Sequence, residues 1–322
     1  MPRQFWYKCL DYKTLNPCRT VRGVLRVGDN PMALQMCVLA SGSSGNCSVL
    51  KTSRGSVLID MGLGPRTTAR RLAERDMALD EIAAVCLTHL DHDHCNPSWA
   101  ATLTRRDICV YCHCSCHARL VELLKQNSPA AQGTARIEAF SGDAFEPIPG
   151  LLMQPIALAH DADGSHGFAM TCGDARAGYA TDLGHVPAAL ADHFDGVDLL
   201  AIESNYDPQM QANSGRPWFL QQRITGSRGH LSNEQAFNLV VELFNRAARR
   251  GGAGRGPRHV VLLHRSRQCN CPNLLRKLFQ RDRRIAAVLT LSEQHEATAW
   301  LRAHPAPAPA LQMGLPWQAA VA

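Results

Sequence analysis

The chain has 322 residues, of which 45% are hydrophobic and 19% charged, so it can bury a sizeable core in one or two domains. No stretch approaches the roughly eighteen consecutive apolar residues of a membrane-spanning helix, which excludes a helical membrane protein. The formal net charge of +6 suits an anionic partner but does not require one.

The segment 1–31 differs from the chain that follows it. It is rich in Arg, Lys and Tyr, and it shows no hydrophobic periodicity. It also lacks the apolar region and the small-residue cleavage site of a secretory signal. We therefore expect a cytoplasmic protein in which residues 1–31 are a disordered arm or an over-extended translation start, with Met32 as the natural first residue.

The spacing of apolar residues predicts a series of strands with helices between and after them. Ser232 with Gln235 forms a predicted capping box, and Pro272 is placed in the first turn of the next helix. The strands at 167–172 and 177–181 form a predicted hairpin. The predicted strands are 34–40, 46–51, 56–60, 82–88, 108–112, 151–159, 167–172, 177–181, 198–203, 259–263 and 285–291, and the predicted helices are 65–77, 97–106, 115–126, 186–193, 233–250 and 272–282.

This order of elements favours a layered α/β sandwich in one domain, over residues 32–303. Residues 249–258, RRGGAGRGPR, form a Gly/Arg-rich loop. Residues 304–322 open with HPAPAPA, and we expect a flexible Pro/Ala-rich tail there.

Thirteen cysteines in a chain without an export signal indicate a reduced protein and not a disulfide scaffold. The densest group, CVYCHCSCH at 109–117, does not have the two separated CxxC pairs of a typical zinc site. We predict that these cysteines, together with Cys269 and Cys271, are buried structural residues.

Potential metal ligands follow four of the predicted strands directly. They are His89 in the stretch CLTHLDHDHC at 86–95, His160, Asp182 and His264. A single histidine after a strand is usually a hydrogen-bonded loop residue, but four strands that end in this way indicate a shared site. Rigid strand ends suit a metal because its ligands must be held within a few tenths of an ångström.

These residues carry a resemblance to the metallo-β-lactamase fold, whose motif H-x-H-x-D-H is followed by a later His, an Asp and a final His. LIDMG at 58–62 resembles the upstream motif of that fold. The resemblance makes Asp60 the structural support of the segment 89–94, which is called the metal loop below. Further stretches are similar to the bacterial YycJ/WalJ-type DNA exonuclease branch: ASGSSGNC (40–47), AHDA (159–162), ESNYD (203–207), GHLSN (229–233) and LHRSRQCN (263–270). The resemblance implies a four-layer αββα sandwich and a metal-dependent hydrolase.

The resemblance also implies a ligand set for two divalent metal ions, zinc or manganese. Asp91 stands where the family has its second histidine, and it is itself a competent oxygen ligand. His92 is one position out of register, so we expect it to support a ligand or to face the substrate. The expected ligands are His89, Asp91 and His160 for the first ion, Asp93, His94 and His264 for the second, and Asp182 as the bridge between them.

The carboxylate at Asp91 changes the charge of the predicted centre. Three carboxylates and one hydroxide nearly cancel two divalent cations, whereas the family pattern leaves one positive charge. We hypothesise that the less positive centre favours Mn²⁺ over Zn²⁺.

A hydroxide bound by two metal ions attacks an electrophilic carbon or phosphorus, so the predicted centre is hydrolytic. The resemblance makes DNA the expected substrate and Asp93 and His230 the expected catalytic residues, although His230 is nearly as well explained as a residue that caps the next helix. The candidate phosphate contacts are Ser43, Ser44, Asn46, Arg228 and Arg265, and Arg223 and Arg267 flank the same motifs. For the residues of the turn 41–46, a tight connection between strands is about as good an explanation. The arginines are explained about as well as ordinary surface residues.

Two other functions stay open. One is hydrolysis of a small molecule, by a cyclic phosphodiesterase or a thioester hydrolase on the same fold. The other is a nucleic-acid-binding protein without catalysis, in which the metal site is structural or degenerate. Trp99, Tyr206 and Trp218 are candidate base or sugar contacts, but core packing is the safer prediction for them. No protein partner is predicted.

Overall fold

The computed structural model describes residues 34–128, 133–250 and 256–303. The strands are β1 Gln35–Ala40, β2 Cys47–Thr52, β3 Gly55–Ile59, β4 Ile82–Cys86, β5 Cys109–His113, β6 Ile137–Phe140, β7 Phe145–Ile148, β8 Leu151–Leu158, β9 Ser165–Cys172, β10 Ala175–Ala180, β11 Leu199–Glu203, β12 His259–Leu263, β13 Leu289–Leu291 and β14 Leu301–Arg302. The helices are α1 Pro65–Ala73, α2 Ala100–Arg106, α3 His117–Gln126, α4 Leu190–His193, α5 Pro208–Ala212, α6 Trp218–Thr225, α7 Asn233–Arg249, α8 Pro272–Phe279 and α9 Arg283–Ala286.

The strands form two seven-stranded mixed sheets. The first has the order β14-β1-β2-β3-β4-β5-β6, and the second has the order β13-β12-β11-β10-β9-β8-β7. In the first sheet, β3 to β6 run parallel. In the second, β10 to β13 run parallel, and β8 points the same way as β10 because both are antiparallel to β9.

Alternation along the strands places a core on each face of each sheet. In β1, Met36 and Val38 point between the two sheets, whereas Cys37 and Leu39 point to the outer face, where α1 to α3 pack. In β11, Leu200 points outward to a core shared with α4 and α7 to α9. The result is a four-layer αββα sandwich, which confirms the predicted fold class.

Several local predictions are confirmed, and others are wrong. Ser232 caps α7 in a capping box, Pro272 opens α8, and β9 with β10 forms the predicted hairpin. The predicted strand 285–291 is wrong in its first half, because α9 ends at 286 and the strand begins only at 289. The elements β6, β7, β14, α5 and α6 were not predicted, since they are short and lack a clear period.

The cysteine prediction is confirmed for some residues only. Cys109 and Cys112 are buried, as is Cys269, whereas Cys114 is exposed and Cys271 is half-buried. Within the described ranges, the groups whose ligand atoms lie close enough for one ion contain no cysteine.

Other predictions concern the ends of the chain and the membrane. The predictions for 1–31 and 304–322 lie outside the described residues. Over the three ranges that the structure covers, no helix combines the length and the apolar character needed to cross a bilayer.

Candidate metal centre

Parallel strands bring the predicted ligands to one edge of the sandwich. His89 follows β4 in the first sheet, and His160, Asp182 and His264 follow β8, β10 and β12 in the second. Because these strands point the same way within each sheet, their carboxyl ends meet at one crevice, the usual place for a site in such folds.

Three residues that closely follow strands at this crevice have left-handed backbones. The φ angles are 61° at Asp60, 53° at Asp182 and 49° at His264. Left-handed φ is uncommon for residues other than glycine and clusters at functional sites. Each turn lies one or two positions beyond the end of its strand, where the chain leaves the sheet.

The first predicted ligand group is brought together as expected. Asp91 Oδ2 lies 3.7 Å from His89 Nε2 and 4.0 Å from His160 Nε2. His89 Nδ1 is paired with the Thr88 hydroxyl at 2.9 Å, and His160 Nδ1 is paired with the carbonyl of Gly229 at 2.9 Å. Both histidines therefore present Nε2 to the same point as the Asp91 carboxylate.

The second predicted group comes together beside the first. Asp93 Oδ2 lies 3.6 Å from His94 Nε2 and 3.5 Å from His264 Nε2. Asp182 lies between the two groups: its Oδ2 is 2.8 Å from His94 Nε2, and its Oδ1 is 4.0 Å from His160 Nε2. Asp182 therefore lies close to a ligand nitrogen of each group.

His92 belongs to neither group. Its side chain is exposed, whereas its neighbours Asp91 and Asp93 line the cavity above the site. The structure therefore separates the five polar side chains of the stretch 89–94 into four that converge and one that does not.

Asp60 holds the metal loop from below. It is fully buried, and its Oδ1 accepts hydrogen bonds from the Thr88 amide at 2.8 Å and from the Thr88 hydroxyl at 3.0 Å. Its Oδ2 lies 2.7 Å from His94 Nδ1. A carboxylate in this position keeps the proton of His94 on Nδ1, so that Nε2 is available to a ligand.

Asn46 is placed differently from the prediction that it contacts a substrate phosphate. Its side chain is buried, with Nδ2 at 3.2 Å from Asp93 Oδ2 and 2.9 Å from His94 Nε2. Its backbone amide also donates to the carbonyl of Asp93. Gly62 packs against the same carbonyl, where a Cβ atom would lie 1.8 Å from the oxygen. Asn46 and Gly62 therefore fix the course of the metal loop.

The turn 41–46 also differs from expectation. The amide of Gly42 donates to Asn46 Oδ1 at 2.8 Å, and the amide of Ser44 donates to Gln294 Oε1 at 2.9 Å. These N–H groups are thus used inside the protein. Ser43 is the member of the turn that lines the cavity.

Glu203 is a site residue that was not predicted as one. It ends β11, is fully buried, and accepts hydrogen bonds at Oε2 from the amides of Leu183 and Leu231. Its Oε1 lies 2.8 Å from His230 Nδ1 and 3.1 Å from His264 Nδ1. Its position at the end of an apolar strand could have identified it from the sequence, by the same rule that identified Asp182 and His264.

Burial and charge act in opposite directions on the imidazoles. Burial, together with the nearby His94, lowers the pKa of His89 well below its usual range. Burial also disfavours the charged form of His94 and His264, but Asp182 outweighs it and raises the pKa of both. For His230 the Glu203 carboxylate is the main opposing charge and raises the pKa to about 9.

Burial raises the pKa of Asp60 and of Asp91, whereas three other carboxylates of the site keep a low pKa. Burial opposes the charged forms of Asp182 and Glu203, yet the neighbouring imidazoles lower the pKa of both. Burial opposes the charge on Asp93 as well, but the nearby imidazoles of His264 and His94 lower its pKa to about 2. In the absence of metal, protons on His94, His230 and His264 therefore balance these negative charges.

The donor set fits divalent metal ions. His264 Nε2 is buried without a hydrogen-bond partner and faces Asp93 Oδ2, so a ligand there would satisfy it. Imidazole nitrogens and carboxylate oxygens are the donors that zinc and manganese bind in proteins. Because ions would displace the protons on the histidines, metal binding at this site will depend on pH.

The cavity above the ligands holds some of the predicted substrate contacts and lacks others. It measures about 400 Å³ and is lined by Ser43, by His230 and by all the predicted ligands except His94. Arg228 lines an adjoining groove instead, and Arg265 lies at a different surface, where it is paired with Glu293. Arg223 is the arginine that lines the metal cavity.

Two known proteins are similar to this chain in sequence. The exodeoxyribonuclease YycJ of Bacillus anthracis is 25% identical over 246 residues, which cover 76% of this chain and 87% of that protein. The exodeoxyribonuclease WalJ of Streptococcus pneumoniae is 25% identical over 243 residues, which cover 74% of this chain and 83% of that protein.

Solved structures share the fold at lower identity. The metallo-β-lactamase fold protein YhfI from Bacillus subtilis superimposes with a TM-score of 0.59 at 16% identity, over 84% of this chain and 100% of its own. A diphosphatase of the PhnP family superimposes with a TM-score of 0.58 at 16% identity, over 84% of this chain and 98% of its own. The model of the β-lactamase superfamily domain matches residues 56–252, more than half of the sequence. The chain therefore belongs to the β-lactamase superfamily and is a hydrolase of the metallo-β-lactamase fold.

Proposed function

We propose that the protein is a metal-dependent phosphodiesterase that degrades DNA from its ends. The observation that carries this proposal is the site itself: two groups of ligands that face one buried carboxylate, Asp182, at the floor of an open cavity. The similarity to two exodeoxyribonucleases supports DNA as the substrate.

Seven residues would hold the two ions, in the groups described above. The ions, when bound, supply Lewis acidity and activate water for attack on a phosphodiester. Asp91 gives this centre one more carboxylate than the histidine of the family pattern would.

The protein's own residues orient the ligands and handle protons. Asp60 and Thr88 fix His94 and His89, so that neither ring has to reorganise when an ion binds. His230 lines the cavity, and its Nδ1 is held by Glu203 at 2.8 Å and by Asp182 at 3.3 Å. Its Nε2 is therefore the nitrogen that donates a proton to the leaving oxygen or binds a phosphate oxygen.

The cavity wall supports an anionic, extended substrate. Arg223 brings a guanidinium group to the rim, and Ser43 brings a hydroxyl from a separate chain segment. Guanidinium groups are well suited to phosphate oxygens. The adjoining groove that contains Arg228 offers room for the next part of a polynucleotide.

End-labelled single-stranded and double-stranded DNA, incubated with metal-free protein and then with added Mn²⁺ or Zn²⁺, tests the proposal. We expect progressive shortening that requires metal, falls steeply with salt, and is lost in Asp182→Ala. Circular dichroism of Asp182→Ala checks that its fold is intact.

The alternatives give different results in the same experiment. Turnover of bis(p-nitrophenyl) phosphate or a thioester without degradation of DNA would identify a small-molecule hydrolase. DNA binding without turnover of any ester, unaffected by Asp93→Ala, would identify a binding protein with a structural metal site.

A further inference from the structure

Helix α6 carries two aromatic side chains that the rest of the fold leaves uncovered. Trp218 is 75% exposed and Phe219 is 71% exposed, the largest fractions among the exposed large hydrophobic residues that the structure describes. No residue of this helix is buried. Neighbouring exposed rings that do not stabilise a core are a common mark of a binding surface.

The uncovered rings lie next to the metal cavity. Leu220, Arg223 and Ile224 of α6 line that cavity. Because residues four apart lie on the same side of a helix, Phe219 shares a side with Arg223, and Trp218 lies about 100° further round. A continuous surface therefore runs from the cavity wall at Arg223, across Phe219, to Trp218.

This surface is also next to a groove of about 650 Å³ that shares Asp161 and Arg223 with the metal cavity. Gln222 and Arg228 line the groove. Arg223 is paired with Asp161, yet 67% of its side chain is exposed, so part of its guanidinium group is open to a ligand. Arg228 is exposed as well. The charge of this surface complements a phosphate backbone.

A second copy of the chain is a poorer occupant for this surface. Two aromatic side chains cover about 150–250 Å² each, whereas a stable protein–protein interface buries about 800 Å² on each partner. The flanking Arg223 and Arg228 would also face each other across a symmetric contact at α6.

We propose that α6 binds a single-stranded end of the DNA substrate. Phe219 and Trp218 stack on the bases of nucleotides next to the one in the metal cavity, and Arg223 and Arg228 contact their phosphates. Stacking on aromatic rings holds a strand without regard to sequence, which suits an enzyme that moves along DNA. This inference rests on the proposed nuclease function.

The test compares the double variant Trp218→Ala/Phe219→Ala with the parent protein and with Leu152→Ala, which removes an exposed apolar side chain from β8. Binding of a fluorescent oligothymidylate is measured by anisotropy in the presence of a chelator, so that no turnover occurs. We expect the double variant to bind about tenfold or more weakly and Leu152→Ala to bind as the parent does. The variant Trp218→Phe/Phe219→Tyr, which keeps both rings, should restore binding.

Hydrolysis of bis(p-nitrophenyl) phosphate, which has no flanking nucleotides, should be unchanged in the double variant. Unchanged affinity for the oligonucleotide would overturn the inference, as would conversion of a dimer to a monomer in sedimentation. An equal loss on the small diester would show that α6 only shapes the cavity. If the parent protein cleaves the small diester but not DNA, the proposed function fails; if both proteins degrade DNA equally well, only the role of α6 fails.

Discussion

Replacing Asp60 by asparagine tests how the metal loop is held, because it removes one charge from a site that has little room to adjust. The side-chain oxygen of the new residue retains the bonds from Thr88, but its amide group then faces His94 Nδ1, which lies 2.7 Å from the present carboxylate oxygen. Two donors cannot share that contact. His94 must accept there instead and carry its proton on Nε2, the atom that faces Asp93 and Asp182.

The proton on Nε2 competes directly with a metal ion. Loss of such a supporting carboxylate costs about 10–100-fold in metal affinity, which corresponds to about 1.4–2.7 kcal/mol. The metal-free protein should also lose about 1–3 kcal/mol in its free energy of unfolding, because the buried His94 ring no longer donates a hydrogen bond to a charged carboxylate.

Competition with a fluorescent chelator measures the affinity of each ion, and urea unfolding measures the stability. The matched control is Asp76→Asn, because Asp76 also has a left-handed backbone, with φ at 55°, but is exposed and away from the site. If Asp60→Asn binds both ions as tightly as the parent protein, the role assigned to Asp60 is refuted.

Three further changes probe the centre and its surroundings. Asp91→His should shift the preference of the metal-free protein from Mn²⁺ toward Zn²⁺, as followed by activity after addition of each ion; best activity with Zn²⁺ in both proteins would contradict this. Glu203→Gln should lower the free energy of unfolding in urea by about 1–3 kcal/mol, because a side-chain amide cannot accept both backbone N–H groups at that carboxylate and also accept from the two histidines; an unchanged midpoint would show that the site relaxes. Burial and the nearby His113 lower the pKa of His166 to about 4 from an ordinary 6.5, so the unfolded chain binds the proton more readily and stability is lost as pH falls from about 6.5 to about 4. In urea unfolding curves at several pH values, His166→Phe should lose roughly 2 kcal/mol less free energy of unfolding between pH 6.5 and pH 4 than the parent protein does, after allowance for partial exposure. The same dependence of the free energy of unfolding on pH in both proteins would disprove the assignment.

The positions of the ligands followed from a rule about strands. Apolar runs that end in His or Asp identified His89, His160, Asp182 and His264, and parallel strands carry such ends to one edge whatever the details of the loops. The same rule applied to Glu203, yet a glutamate after a strand is common and only its contacts with two histidines show its place in the site.

The residues that face a substrate depended on the packing of loops. Arg223 and Arg228 lie five positions apart, and only the course of α6 and the turn after it places one at the metal cavity and the other in the groove beside it. Local patterns also offered no means to separate Trp99, which is fully buried, from Trp218, which is 75% exposed. Exposure of a ring depends on what the rest of the chain places over it.

By itself, then, the sequence determined the layered fold and the four strand-end residues that converge, because both follow from local periodicity and from the direction of parallel strands. The other three predicted ligands came from the resemblance to the family motif. The tertiary structure decided that Asn46 supports the metal loop, that Glu203 joins the centre and that α6 stays uncovered. These are contacts between residues far apart in the chain, and no local pattern specifies which groups meet across such distances.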